Sequence, residues 1–377
     1  MRIGFDAKRA YTNTTGLGNY SRFVISALQT QFPQNQYYLF TTRQNNVFRN
    51  FVPASPHLHL VKPPGLYRVL PDAWRLAGIN NSIKNLKLDI FHGLSNELPF
   101  FLNKSKVRKV VTIHDLIFLR FPELYKPHDR LIYRAKFKAA CQTADKIIAV
   151  SQQTQQDLIQ FYNIPAEKTE VIYQDCNPIF HQAIPAETLR AVKQKYYLPD
   201  KYLLCVGTLE RRKNHLHLFK AWQKSGLTDT HDLVLIGKRL PYAAHLDTYI
   251  RENKLTAKVH FLPYIPFQEL PAIYQLAQVF VYPSLFEGFG IPILEALNSG
   301  VPVVTSTGSC FTEAGGEAAL YAAPDDVTQL AEHLTLICSD QTLRQQLIKT
   351  GHEHAQQFRA EHTIPQMHRL YENLIGK

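Results

Sequence analysis

Residues 279–306 read VFVYPSLFEGFGIPILEALNSGVPVVTS. Val279–Tyr282 is a short apolar run of the kind buried in a parallel sheet. Ser284–Gly290 carries two glycines and predicts a loop. Pro292 suits the start of a helix, where its missing N–H costs nothing, and Gly300 suits the C-terminal cap. A strand, a glycine-bearing loop and a helix N-terminus make an anion-binding device. The backbone N–H groups of Gly288, Phe289 and Gly290 are its candidate donors. Two carboxylates flank it, Glu287 in the loop and Glu295 about one turn into the helix. A carboxylate beside a bound phosphate repels it, so these two need another task. Accepting hydrogen bonds from sugar hydroxyls is such a task. The plainer alternative is two solvated acids on a helix edge.

Outward from this stretch, short apolar runs alternate with amphipathic segments. RIGFDA, YYLFTT, DIFHG, KVVTIHD and KIIAVS read as strands in the first half, and YLLCVG, DLVLIG, KVHFLP, VFVYPS and VPVVTS in the second. Asn19–Thr30, Asp129–Thr143, Gln152–Tyr162 and Asn214–Gly226 read as helices. Strand–helix alternation of this length predicts an α/β protein with parallel, doubly wound sheets. The pattern restarts at YLLCVG, after a proline-bearing polar stretch near Asn177–Pro185. We therefore expect two Rossmann-like domains, residues 1–180 and 181–358, with a final amphipathic helix at 359–377 packing back on the first. Ligands in such folds bind beyond the carboxyl ends of the strands.

Other strand ends carry chemistry too. Val206–Asn214, VGTLERRKN, places Arg211, Arg212 and Lys213 in one turn, a cluster suited to a diphosphate. Thr14–Tyr20, TTGLGNY, puts Gly16 and Gly18 ahead of a helix. The third glycine of a dinucleotide fingerprint is absent there, which argues against NAD. His114 and Asp115 end the strand KVVTIH. Asp6, Asn96, Glu97, Ser151 and the loop TGSCFT with Glu313 also follow strands. Each of these has an ordinary structural alternative as a cap or turn.

Glu287 and Glu295, with seven residues between them within FEGFGIPILEALNSGVPVV, resemble the signature of retaining GT-B glycosyltransferases of family 4. The resemblance covers essentially the whole chain. It implies two Rossmann-like domains whose parallel sheets face a central cleft. It implies that Glu287 holds hydroxyls of a donor sugar and Glu295 the nucleotide ribose. Gly207, Thr208, Arg212 and Lys213 match the donor-phosphate turn, although Arg211 stands where proline is common and Thr208 where many relatives carry arginine. Gly16, Gly18, Gly288, Phe289, Gly290 and Ile291 complete the implied donor set. His114 is implied to position the sugar, and Glu287, His114, Arg212 and Lys213 to carry the chemistry. Asn19, Asp115 and Asn96 are implied to meet the acceptor. The expected reaction moves a hexose, mannose favoured, from a GDP- or UDP-linked donor with retention, by a front-face route. The expected acceptor is a saccharide or lipid-linked saccharide of a cell-surface polysaccharide. No cofactor and no metal are expected, since no Asp-x-Asp pair is present. Two alternatives share the fold: a nucleotide-sugar epimerase and a non-catalytic sugar-nucleotide-binding subunit.

Composition limits the setting. The formal charge is +11, and all of the excess lies in residues 1–177. That asymmetry points to an anionic partner for the first half or to a basic soluble surface. Residues Val61–Lys87, with Trp74 among lysines and arginines, read either as a contact with an anionic membrane face or as a loop and helix whose aromatics fill the core. No nucleic-acid motif accompanies the charge. The five scattered cysteines predict neither disulfides nor a zinc site, and a cytoplasmic setting is expected. The N-terminus reads as a first strand rather than a signal peptide, and no transmembrane stretch is expected.

Overall fold

The computed structural model describes residues 1–377 except 46, 47, 101, 103–105, 263 and 377; the side chains of 66, 72, 76 and 77 are also outside the description. The chain divides into two units, Met1–Asp175 with Phe358–Lys377, and Cys176–Gln357. Residues 176–180 thus belong with the second unit.

Among the described residues, the first unit holds a seven-stranded sheet in the order β3-β2-β1-β4-β5-β6-β7. Its strands are β1 (Arg2–Asp6), β2 (Gln36–Phe40), β3 (Leu58–Val61), β4 (Ile90–Gly93), β5 (Arg108–Ile113), β6 (Lys146–Ala149) and β7 (Thr169–Val171). Every neighbouring pair is parallel. The second unit holds six parallel strands in the order β10-β9-β8-β11-β12-β13. They are β8 (Tyr202–Val206), β9 (Asp232–Ile236), β10 (Val259–Leu262), β11 (Val279–Tyr282), β12 (Val303–Ser306) and β13 (Ala319–Ala322). The α/β class with two doubly wound parallel sheets is therefore observed.

Three strands absent from the sequence reading, β3, β7 and β13, all lie at sheet edges. An edge strand is covered less completely, so it lacks the continuous apolar run of a central one. LHLV of β3 is only half-buried or exposed, whereas IFHG of β4 is wholly buried.

Each unit has its own core. In the first, Trp74, Phe91, Phe118, Phe137 and Cys141 pack on one side of the sheet. Trp74 is 1% exposed, so the Val61–Lys87 segment turns its tryptophan inward. In the second, Leu218, Phe219, Trp222, Leu246 and Leu334 cover β8, β9 and β11. The final helix, Ala360–Ile375, buries Ile364, Met367, Leu370 and Tyr371 in the first unit. Asn35 Nδ2 meets His368 Nε2 at 3.1 Å, and the Phe32 ring stacks on His368 at 3.6 Å. All five cysteines are free thiols. No helix of the described residues is long and apolar enough to cross a membrane.

Candidate functional site

In the second unit β8, β11 and β12 are consecutive in the sheet. Parallel pairing puts their carboxyl ends on one edge, so the loops 207–213, 283–290 and 307–310 are neighbours. Gly290 caps the helix Ile291–Asn298 with φ +103°, a conformation open to glycine and strained for other residues. Pro292 lies in the first turn of that helix, which needs no N–H from it.

This arrangement gathers Glu287, Arg212 and Lys213. Glu287 Oε1 accepts from Lys213 Nζ at 2.7 Å and pairs with Arg212 Nη1 at 2.6 Å. Arg212 also donates to the Phe286 carbonyl at 2.7 Å and to Glu210 at 2.7 Å. Lys213 Nζ donates to the Tyr282 hydroxyl at 2.6 Å and lies 4.6 Å from the Tyr282 ring centre. Among the described residues, that leaves one of the three ammonium N–H groups without a partner. Ser309 holds the backbone of Glu287 from the next loop. Its hydroxyl accepts from the Glu287 amide at 3.1 Å and donates to the Glu287 carbonyl at 2.9 Å.

Glu287 and Glu295 are each 8% exposed, and their electrostatics are opposite. Burial raises the Glu287 carboxyl, but Lys213 and Arg212 outweigh it and hold the group at about 2. Burial pushes Glu295 up to about 7, opposed only by one hydrogen bond, Tyr274 Oη to Oε2 at 2.8 Å. His215, next after the cationic turn and Asn214, is held down to about 4 by burial and then by the Lys213 charge. Its Nδ1 is buried without a hydrogen-bond partner among the described residues. Gly207 donates its N–H to Ile236 O at 2.8 Å, Thr208 follows it half-buried, and Arg211 is exposed.

In the first unit β1, β4 and β5 are consecutive, and the loops after them form a second cluster. The helix Gly16–Gln31 begins three residues earlier than the sequence reading placed it. A Cβ on Gly18 would stand 2.0 Å from the Asn13 carbonyl oxygen, so close backbone packing explains that glycine. Gly16 has open space in the same position. Asn19 Oδ1 accepts from Arg22. The Asp115 carboxylate accepts from Ile117 N at 3.1 Å and opens the next turn. Asn96, in a left-handed conformation with φ +64°, accepts from His114 N at 2.8 Å and so shapes the loop around the histidine. His114 is 8% exposed, and burial holds its imidazole down to about 4, hence neutral. Its Nε2 lies 2.9 Å from the Leu94 carbonyl, which can only accept, so Nε2 carries the proton and Nδ1 is left as an acceptor.

Asp6 and Glu97 share Arg75, at 2.7 Å and 3.0 Å, and Lys136 reaches Glu97 at 3.6 Å. Ser151 caps the helix Gln152–Tyr162 through Thr154 N. Tyr274, Tyr282 and Glu210 were not singled out in the sequence, because their side chains sit within segments that read as ordinary core or turn.

Residues 188–354, most of the second unit, match a family model described as "Glycosyl transferases group 1", and residues 16–174 match "Glycosyltransferase Family 4". The chain belongs to this glycosyltransferase family. It is 31% identical to the O-antigen chain mannosyltransferase B of Escherichia coli, over 99% of this chain and 100% of that relative. It is also 31% identical to the O-antigen chain mannosyltransferase RfbU of Salmonella typhimurium, over 61% of this chain and 59% of that one. Among solved structures, the sucrose-phosphate synthase of Thermosynechococcus elongatus superposes with a TM-score of 0.81 at 22% identity, covering 100% of this chain and 99% of that one. WaaG, a glycosyltransferase of lipopolysaccharide biosynthesis, superposes with a TM-score of 0.70 at 16% identity over both full chains. These neighbours establish the GT-B fold.

Proposed function

We propose that the protein transfers a hexose, mannose favoured, from a GDP- or UDP-linked donor to a saccharide or lipid-linked saccharide during O-antigen-type polysaccharide assembly. The reaction is proposed to retain the anomeric configuration and to need no metal. The observation that carries this reading is the buried Glu287–Arg212–Lys213 cluster at the ends of adjacent strands. Lys213 has a donor to spare for a phosphate oxygen, and Arg212 offers a second cation. A diphosphate arriving there finds charge already positioned, which favours departure of the nucleotide. Glu287 is assigned to the donor sugar hydroxyls and Glu295 to the ribose, with Gly288, Phe289, Gly290 and Ile291 supplying the adjoining backbone. Neutral His114 is assigned to a sugar hydroxyl through Nδ1, and Asn19, Asn96 and Asp115 to the acceptor side. The relatives named as O-antigen mannosyltransferases support the choice of sugar and pathway class.

Transfer assays with GDP-mannose and UDP-hexoses test this, after a thermal-shift screen of GDP-, UDP- and ADP-sugars selects the donor. Lys213→Ala is expected to stay folded and to lower transfer about 100-fold. Near-normal turnover in that variant ends the assignment.

We further assign an anionic membrane surface as a partner of the first unit. Val69 and Leu70 are 76% and 63% exposed, and Leu131 and Ile132 are 69% and 48% exposed. Arg75 and Lys136, a few residues beyond each pair, both reach Glu97, so the segments that carry the two apolar pairs approach one another there. Lys126, Arg130, Arg134 and Lys138 follow one another at four-residue spacing around Leu131, and Arg68 precedes Val69. Apolar side chains rimmed by cations suit the boundary of an anionic bilayer. Flotation with phosphatidylglycerol-containing vesicles at low salt is expected to recover the protein, and Leu131→Glu with Ile132→Glu to abolish recovery. Unchanged flotation of that double variant would remove this surface.

A further inference from the structure

A chain of buried polar side chains runs through the first unit from its last helix to the loop that carries His114. Tyr371, on the helix Ala360–Ile375, places its hydroxyl 2.6 Å from His92 Nδ1. His92 Nε2 lies 2.8 Å from Thr112 Oγ1, and Thr112 Oγ1 lies 3.0 Å from the Tyr20 hydroxyl. The Tyr20 ring then meets the His114 ring edge-on, with centroids 4.6 Å apart at 89°. Tyr371, His92 and Thr112 are 0% exposed and Tyr20 is 3% exposed.

We propose that Tyr371 and His92 are positioning residues, which hold the His114 ring through Thr112 and Tyr20 and so tie the transfer step to the C-terminal helix. The proposal rests on the reading of His114 as the group that meets the donor sugar.

Chemistry favours an ordered relay here. Burial, and then the neighbouring His114, hold His92 down to about 3, so it is neutral and carries one N–H. It therefore donates through one nitrogen and accepts through the other. Its neighbours on both sides are hydroxyls. In one tautomer the bonds run from Tyr20 through Thr112 and His92 to Tyr371, and in the other they run in reverse. Either way each link fixes the next, and polar groups this deeply buried lose heavily if a partner is removed. Tyr20 has no freedom to swing while its hydroxyl is held, and its ring is one wall of the His114 site. The helix that supplies Tyr371 comes from the chain beyond the second unit, so the His114 site is incomplete until the C-terminal segment has docked.

Three substitutions separate this from a plain packing role. Thr112→Val keeps the shape and removes the central hydroxyl, Thr112→Ser keeps the hydroxyl, and Tyr371→Phe removes only the terminal one. Thr112→Val and Tyr371→Phe are expected to lower kcat about tenfold with donor KM unchanged, and Thr112→Ser to stay within about twofold of the parent. In ¹⁵N-histidine NMR, without any substrate, the His114 ring signals are expected to move in Thr112→Val and Tyr371→Phe. His114 signals that superimpose on the parent's in both variants would overturn the proposal. If instead His114→Ala left turnover intact, the role of His114 in transfer would fall, while the NMR shifts would still report the relay.

Discussion

Glu287, in the loop, and Glu295, in the middle of the helix Ile291–Asn298 that follows, are the same residue type and equally buried, and their surroundings treat them in opposite ways. Glu287 sits against two cations at 2.6 and 2.7 Å and is held ionised at about 2. Glu295 has a tyrosine hydroxyl at 2.8 Å and rises to about 7. The difference teaches that burial alone does not fix a carboxyl's charge; the partner does. It also divides the work. In the proposed reading, the first acid belongs to the charge framework that would meet a diphosphate. The second stays poised near neutrality, and a ligand with hydroxyls to donate is what favours its ionised form.

The largest effect expected from breaking this contrast is at Glu287. Glu287→Gln leaves Arg212 and Lys213 buried beside an uncharged group, a loss of about 3–5 kcal/mol. Thermal unfolding should show a fall of roughly 10 °C, and transfer should drop about 100-fold. The sign of the pH dependence follows from the lowered carboxyl. Its stabilisation is present above the ordinary carboxylate range and disappears as pH falls through about 2.

Glu295→Gln should move stability the other way. A raised carboxyl contributes fully below its ordinary range, and that contribution is lost as pH rises through about 7. The amide variant is therefore expected to unfold at a higher temperature than the parent at pH 8 and to match it near pH 4. Its donor affinity at pH 8 should nevertheless be lower, because an amide oxygen is a weaker acceptor than a carboxylate. A variant less stable than the parent at pH 8 would show that Glu295 is not desolvated as described.

The smallest effect belongs to Tyr274→Phe. It removes the hydrogen bond that favours ionised Glu295 and moves the midpoint of donor binding to higher pH, by about half a unit to one unit. An unmoved midpoint would show that the Tyr274 hydrogen bond does not counter the burial that raises Glu295.

Much of this was legible in the sequence, for a physical reason. FEGFGIP and ERRKN combine residues that a strand end needs sterically with residues that a charged ligand needs chemically, and both kinds of signal are local. The partners that tune them are not. Tyr282 lies 69 residues from Lys213 and 21 residues separate Tyr274 from Glu295; each tyrosine reads as ordinary core until the sheet order brings it to its partner. The same holds for the relay, in which Tyr371 is 279 residues from His92. Trp74 shows the limit of composition: among basic residues it read equally as a membrane contact, and it is in the core. The exposed aliphatics nearby, Val69 and Leu70, carry no periodicity that would have marked them.

Donor affinity measured by calorimetry from pH 6 to pH 8 tests the division between the two glutamates most directly. A nucleotide-sugar diphosphate has no terminal phosphate and stays fully ionised over that range, so a change must come from the protein. The account predicts that affinity for the selected nucleotide sugar rises several-fold with a midpoint near 7, and that Glu295→Gln binds weakly and independently of pH. A parent protein whose affinity does not change across that range, or that binds no nucleotide sugar at all, would contradict it.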